Sequence, residues 1–122
     1  MNDILHAPYA DSGPCMHEAL FGDKDFAGDL STLDLAKSLI DEGYHPMTVY
    51  FPLVLHGAML VEPTETESKA TLDQFISAFR SLVQRANDGD EKMKSAPYHA
   101  PRRRLDETQA ARKPKLTWEA GE

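Results

Sequence analysis

The stretch DEGYHPMTVYFPLVLHGAMLVEPTETESK, from Asp41 to Lys69, decides the fold. Gly43 stands where a helix needs a left-handed C-terminal cap, and Pro46 blocks a restart. Tyr44 is then placed to pack back on the helix end. Met47 to Leu55 is rich in β-formers (Val49, Tyr50, Phe51, Val54), and Pro52 restricts that strand to an edge or a bulge. His56-Gly57 reads as a turn, and Ala58 to Val61 as a short apolar strand. The two strands suit an antiparallel pair. Thr64 with Glu67 three residues on is a capping-box pattern, so the next helix is expected to open there.

Upstream, Ser31 can cap a helix whose Leu35, Leu39 and Ile40 share one face, and Asp34 in its first turn suits the dipole. Downstream, Leu72, Phe75, Ile76, Phe79, Leu82 and Val83 repeat at helical spacing and predict a core-facing stripe. That helix should stop near Asn87-Asp88-Gly89. Cys15 to Phe21 reads as a strand, followed by a polar turn over Gly22 to Gly28. The expected organisation is an extended lead segment over 1–14, a small domain over 15–94 and an extended C-terminal arm over 95–122. One turn of helix is expected near Asp106 to Arg112, with Leu105, Leu116 and Trp118 as the arm's large apolar anchors. The order β-α-β-β-α predicts an α+β class, with helices on one face of a small antiparallel sheet.

A chain of 122 residues with 41% hydrophobic residues supports one domain with one small core. The net charge of −7 argues against nucleic acid or an anionic membrane as partner. The charge is uneven. Residues 1–94 carry 7 Lys/Arg against 16 Asp/Glu, while residues 95–122 carry 6 against 4. A mildly basic tail on an acidic body is suited to fold back on its own domain or on another subunit. Cys15 is the only cysteine, which fits a reducing compartment. Met1 opens no basic-then-apolar leader, and the longest apolar run is too broken to span a membrane. A cytoplasmic protein is expected.

The candidates for chemistry are few. The five histidines form no i, i+4 metal pattern, and Cys15 has no CxxC partner. Cys15 reads as a small core residue. No glycine-rich phosphate loop is present. His45 follows a helix stop and precedes a proline, so it either faces a cleft at a strand mouth or satisfies local backbone groups. Arg103-Arg104 either binds a carboxylate or phosphate through paired donors, or forms salt bridges with Asp106 and Glu107. Glu62 and Glu65 form an acid/base pair on one reading. Helix N-terminus chemistry explains them more economically.

Two local strings, Gly43-Tyr44-His45-Pro46 and Glu62-Pro63-Thr64-Glu65, resemble one family: the pyridoxal-phosphate-dependent glycine dehydrogenase (decarboxylating), the P-protein of the glycine cleavage system. The likeness is to the C-terminal end of its second subunit and covers most of the chain from Pro14 on. Pro14-Cys15-Met16-His17-Glu18 looks like the family's strand re-entering that domain, with Ala19 where members carry a bulky aromatic. Leu33 to Lys37 and Gly43 to Thr48 are similar to its helix and turn. Glu62 to Lys69 is the most specific string. Ala96-Pro97, Arg103 to Thr108 and Ala110 to Pro114 resemble the tail of the bacterial two-subunit form.

The resemblance implies the small domain of a fold-type-I enzyme, capping an active site and making subunit contacts. Gly43, Pro46, Glu62, Pro63, Thr64, Glu65 and Glu67 are then structural motif residues, and His45, Thr48, Arg103 and Arg104 face the active site. It implies pyridoxal phosphate bound as a Schiff base to a lysine of a large domain that this chain does not match. None of the seven lysines, from Lys24 to Lys115, stands in that context. The chain alone is therefore expected to hold no cofactor, no metal and no catalytic residue. The partners implied are P-protein subunits or the large domain, the lipoyl H-protein through the assembled enzyme, or a second copy in a homo-oligomer. The alternative is a non-catalytic binding or regulatory module that pairs with a full-length P-protein or with itself.

Overall fold

The computed structural model describes residues 1–118. Three short strands, β1 (Ala19–Phe21), β2 (Thr48–Val49) and β3 (Met59–Val61), form an antiparallel sheet in the order β1-β3-β2. Phe21 pairs with Met59 and both are buried, so the sheet turns this pair into the core. There they meet Leu35 and Leu39 of helix α1 (Thr32–Asp41) and Phe79, Leu82 and Val83 of helix α2 (Lys69–Asn87). Each such fully buried side chain contributes about 1.5–3 kcal/mol relative to an exposed one. The α+β class read from the sequence is the one observed.

α1 begins where expected. The Asp34 carboxylate accepts from the Ser31 backbone N–H (2.9 Å) and hydroxyl (2.7 Å), fixing the first turn. Its end is a Schellman motif. Gly43 has φ +85, its N–H reaches Ile40 O (3.1 Å), and Tyr44 N–H reaches Leu39 O (3.0 Å). α2 ends the same way. Gly89 has φ +75, and the N–H groups of Gly89 and Asp90 reach Ala86 O and Arg85 O.

Several readings change. α2 does not open at Thr64. Its cap is Ser68, whose hydroxyl accepts from Thr71 N–H (3.1 Å), while Thr64 and Glu67 close a separate turn through their backbone (3.1 Å). The strand expected over Met47 to Leu55 stops at Val49, because Tyr50 takes φ +59, which no strand residue adopts. Phe51, Leu53 and Val54 consequently lie exposed in the connection. Cys15 is exposed and lies outside β1, so it is not a core residue. Leu105, Leu116 and Trp118 do not anchor the arm; they are 65%, 88% and 87% exposed.

The lead segment is not simply extended. It holds a 3-10 turn at Ala10–Ser12 and buries Leu5 in the core. Ile4 O accepts from the Asn87 side chain (3.3 Å), and Asp3 grips Arg80 through two hydrogen bonds of 2.7 and 2.6 Å. These contacts lay residues 1–5 along the C-terminal half of α2. A 3-10 helix, Glu91–Ser95, buries Met93 against the same core. Beyond it the chain doubles back, with Tyr98 and His99 backbone N–H groups on the Asp41 carboxylate (2.6–2.7 Å). Helix α3 (Glu107–Arg112) follows, capped by Asp106 and with no buried residue. It meets the expected turn near Asp106 to Arg112. Residues 119–122 of the expected arm lie outside the described residues.

Candidate functional site

The Schellman end of α1 sends the chain sharply away from the helix axis, and this places Tyr44, His45 and Pro46 beside α2. Tyr44 meets Phe75 edge-on, with ring centroids 5.3 Å apart. Thr48 follows on β2 and pairs with Leu60 of β3. β3 then runs into Glu62-Pro63-Thr64, which leads to the start of α2. These three pieces enclose an open groove of about 430 Å3. Leu60, Leu72 and Phe75 make its apolar wall, and all three are half-buried. His45, Thr48 and the carboxylates of Glu18, Glu62 and Glu67 make its polar rim.

The structure therefore brings together His45, Thr48, Pro46, Glu62, Pro63, Thr64 and Glu67 from the sequence-derived set. It does not bring Arg103 or Arg104 to this groove. The Arg103 guanidinium lies 5.2 Å over the Tyr98 ring, and its Nε donates to Pro97 O (3.4 Å). Arg104 turns inward. It donates to the buried Asp34 carboxylate (2.7 Å), to Ala96 O (2.7 Å) and to Met93 O (3.1 Å). The expected pairing with Asp106 and Glu107 is thus replaced by a tie between the arm and the first turn of α1. Gly43 and Glu65 do not line the groove.

One cluster escaped the sequence reading. Asp23, expected in a polar turn, is buried, and its carboxylate lies 3.1 Å from His56 Nδ1 and 3.2 Å from the Thr32 hydroxyl. That hydroxyl donates to Gly57 O (2.6 Å). Gly57 has φ +58, and a Cβ there would stand 1.9 Å from the Asp23 carboxyl carbon. Only glycine fits. The cluster pins the connection between β2 and β3 to the start of α1. The HG dipeptide signalled a turn, but nothing local to Asp23 signalled its burial.

The groove's chemistry can be tested against a phosphate-bearing aldehyde cofactor. It has three carboxylates and no lysine or arginine among its lining residues. Such a donor set repels a phosphate and offers no amine for a Schiff base. The strongly held cations and carboxylates lie elsewhere. Arg80 holds Asp3 below the usual carboxylate range, Lys94 does the same to Asp29, and Arg85 to Asp90. What the groove's residues suit is shape and hydrogen bonding: an apolar wall with an imidazole and a hydroxyl at its edge. No helix among the described residues is long and apolar enough to cross a membrane.

Residues 2–102 match the family described as glycine dehydrogenase, C-terminal domain. A protein of Caulobacter vibrioides described as probable glycine dehydrogenase (decarboxylating) subunit 2 is 62% identical over 120 residues, 97% of this chain and 23% of the relative. Proteins with the same description from Caldanaerobacter subterraneus and Kosmotoga olearia are 50% and 44% identical, over 85% and 91% of this chain and 22% and 23% of theirs. The chain thus spans less than a quarter of the length of these relatives. By its match across residues 2–102, it belongs to the glycine dehydrogenase C-terminal domain family.

Proposed function

We propose that this chain is the small-domain portion of a glycine dehydrogenase (decarboxylating) of the glycine cleavage system, working only with the remainder of that enzyme. It closes over the mouth of an active site held elsewhere and makes subunit contacts. The reading rests on one observation: near-complete coverage of this chain by relatives named for that subunit, of which it covers 23%. The groove's donor set supports a non-catalytic role, because its carboxylates suit neither the phosphate nor the aldehyde of pyridoxal phosphate. Bound in the remainder of the enzyme, that cofactor supplies the electron sink for decarboxylation.

The chain's own contribution is then positional. Leu60, Leu72 and Phe75 exclude water at the edge of the cleft, and His45 and Thr48 offer hydrogen bonds to whatever lies across it. The exposed run of Tyr50, Phe51, Leu53 and Val54 supports a second contact area. That loop is not loose. Tyr50 N–H bonds Ala58 O (2.8 Å), and its hydroxyl accepts from Leu33 N–H (3.3 Å), so the apolar side chains are presented on a fixed frame.

The test is complementation. The purified chain is mixed with the first subunit and the lysine-bearing part of the second, with pyridoxal phosphate and the lipoyl H-protein. Glycine-dependent carbon dioxide release is then followed. Turnover that needs this chain supports the reading. Binding without turnover favours the regulatory module, and absence of both removes the proposal.

A further inference from the structure

The groove and the C-terminal tail complement each other in charge and in shape. Two residues of the groove's apolar wall, Leu72 and Phe75, stand on the N-terminal half of α2 and are only half-buried, and Ile76 on the same half is 39% exposed. Its rim carries Glu62 and Glu67, both exposed and neither ion-paired among the described residues. The tail reads Arg112-Lys113-Pro114-Lys115-Leu116-Thr117-Trp118. It combines basic residues with two large apolar side chains that are nearly bare, Leu116 and Trp118, at 88% and 87% exposure. Trp118 is the chain's only tryptophan. An indole standing in water beside basic residues is the composition of a binding anchor. Among the described residues, none beyond Phe75 lines the groove.

We propose that the groove of one copy receives the Leu116–Trp118 tail of a second copy, so that two chains exchange tails in a symmetric dimer. Leu116 and Trp118 lie against Leu72 and Phe75, and Arg112 and Lys113 meet Glu62 and Glu67. The exchange is reciprocal, as a two-fold interface requires. The inference rests on observations separate from the role proposed above and concerns the chain by itself: in the assembled enzyme the cleft would take the place of the tail in this groove.

Trp118 reports directly on the contact, since no other indole contributes to emission. Concentrating the full chain should move Trp118 emission to shorter wavelength in step with dimer formation seen by sedimentation. Trp118→Ala should weaken association about 30-fold, the effect of losing one anchor at an interface centre. Raising salt should weaken it further, because rim charges are screened. The decisive arm is a charge swap. A chain carrying Glu62→Lys and Glu67→Lys, and another carrying Arg112→Glu and Lys113→Glu, should each remain monomeric alone and dimerise when mixed. All four positions are exposed, and unchanged thermal melting verifies that the variants are folded.

Emission from exposed indole at every concentration overturns the proposal. So does burial of Trp118 that ignores concentration, which would place the tail in its own groove. A dimer indifferent to Trp118→Ala and to the charge swaps also overturns it, and would direct attention to the Tyr50–Val54 loop.

Discussion

The two halves of α2 carry the same apolar period and meet different fates. From Phe79 to Ala86 the stripe is buried: Phe79, Leu82, Val83 and Ala86 are all within 1% of full burial. From Leu72 to Ile76 it is half-open, and Leu72 and Phe75 line the groove. What separates them is cover. The C-terminal half lies under α1, the Glu91–Ser95 turn and the lead segment, through Leu5, Ile4 and Asp3. Over the N-terminal half, Tyr44 leans edge-on against Phe75 and the groove leaves Leu72 and Phe75 half-buried. Periodicity identifies an apolar face; it does not say whether the same chain covers it.

The sharpest way to break this contrast is to truncate one residue in each half. Phe79→Ala should cost about 3–5 kcal/mol, the range for emptying a closed aromatic site. Ile76→Ala should cost less than about 1 kcal/mol, because its side chain is already in contact with water. Urea midpoints at unchanged slope measure both. Equal losses would mean that the two halves are packed alike in solution.

Next in size is Gly57→Ala. The new methyl would stand within 2.0 Å of the Asp23 Oδ1 and carbon atoms, in a backbone conformation with φ +58. Strain and displacement of a buried carboxylate together should cost about 2–3 kcal/mol. The loss should appear first as faster amide exchange in the connection from Tyr50 to Ala58, since Gly57 fixes that loop to α1. Exchange that changes equally throughout the core would show that the loop and core open as one unit.

Arg104→Ala sharpens the contrast from the other end. It leaves the nearly buried Asp34 carboxylate with its Ser31 donors alone and strips one partner from Ala96 O and Met93 O. A loss of about 2 kcal/mol is expected. Because this tie sits under the covered half, the Trp118 signal and the groove should be unaffected. Arg104→Lys should restore little, since one ammonium cannot span all three acceptors.

These particulars show which parts of the structure were legible in sequence. Both helix ends were, because a left-handed residue after a helix is a local demand that glycine meets at Gly43 and Gly89. The start of α2 was not. Thr64 with Glu67 and Ser68 with Thr71 are both competent caps four residues apart, so capping chemistry alone is degenerate, and Ser68 takes the role. The end of β2 was hidden because Tyr50 favours strands by type yet is held at φ +59 by bonds to Ala58 and Leu33. At the site, His45, Thr48 and Glu62 line one groove because the antiparallel pair brings its flanks together. The sequence singles out His45 and Thr48 through the family resemblance, which makes Glu62 only a structural motif residue. The destination of Arg104 depends on a contact seventy residues back in sequence, at Asp34, and no local pattern encodes it.

The smallest effect expected is one of pH, and it concerns the cover itself. Asp3 accepts both hydrogen bonds from Arg80 and lies 3.0 Å from the terminal ammonium, which holds its carboxyl well below the usual range. A carboxylate depressed in the folded state stabilises fully above its unfolded value, near 3.8, and the contribution is lost as pH falls through the lower folded value. Acidification through that window should therefore loosen residues 1–5 from α2 before it touches the glycine-capped helix ends. The pair is exposed, so the change in global stability is small and is screened by salt. Amide exchange of Ile4 and Leu5, followed downward from about pH 4, should accelerate in the wild type beyond the intrinsic pH trend. In Arg80→Ala the same amides should already be fast at neutral pH and show no added step. A wild-type profile matching that of the variant would mean that apolar burial of Leu5 alone secures the cover, and that the difference between the two halves of α2 owes nothing to charge.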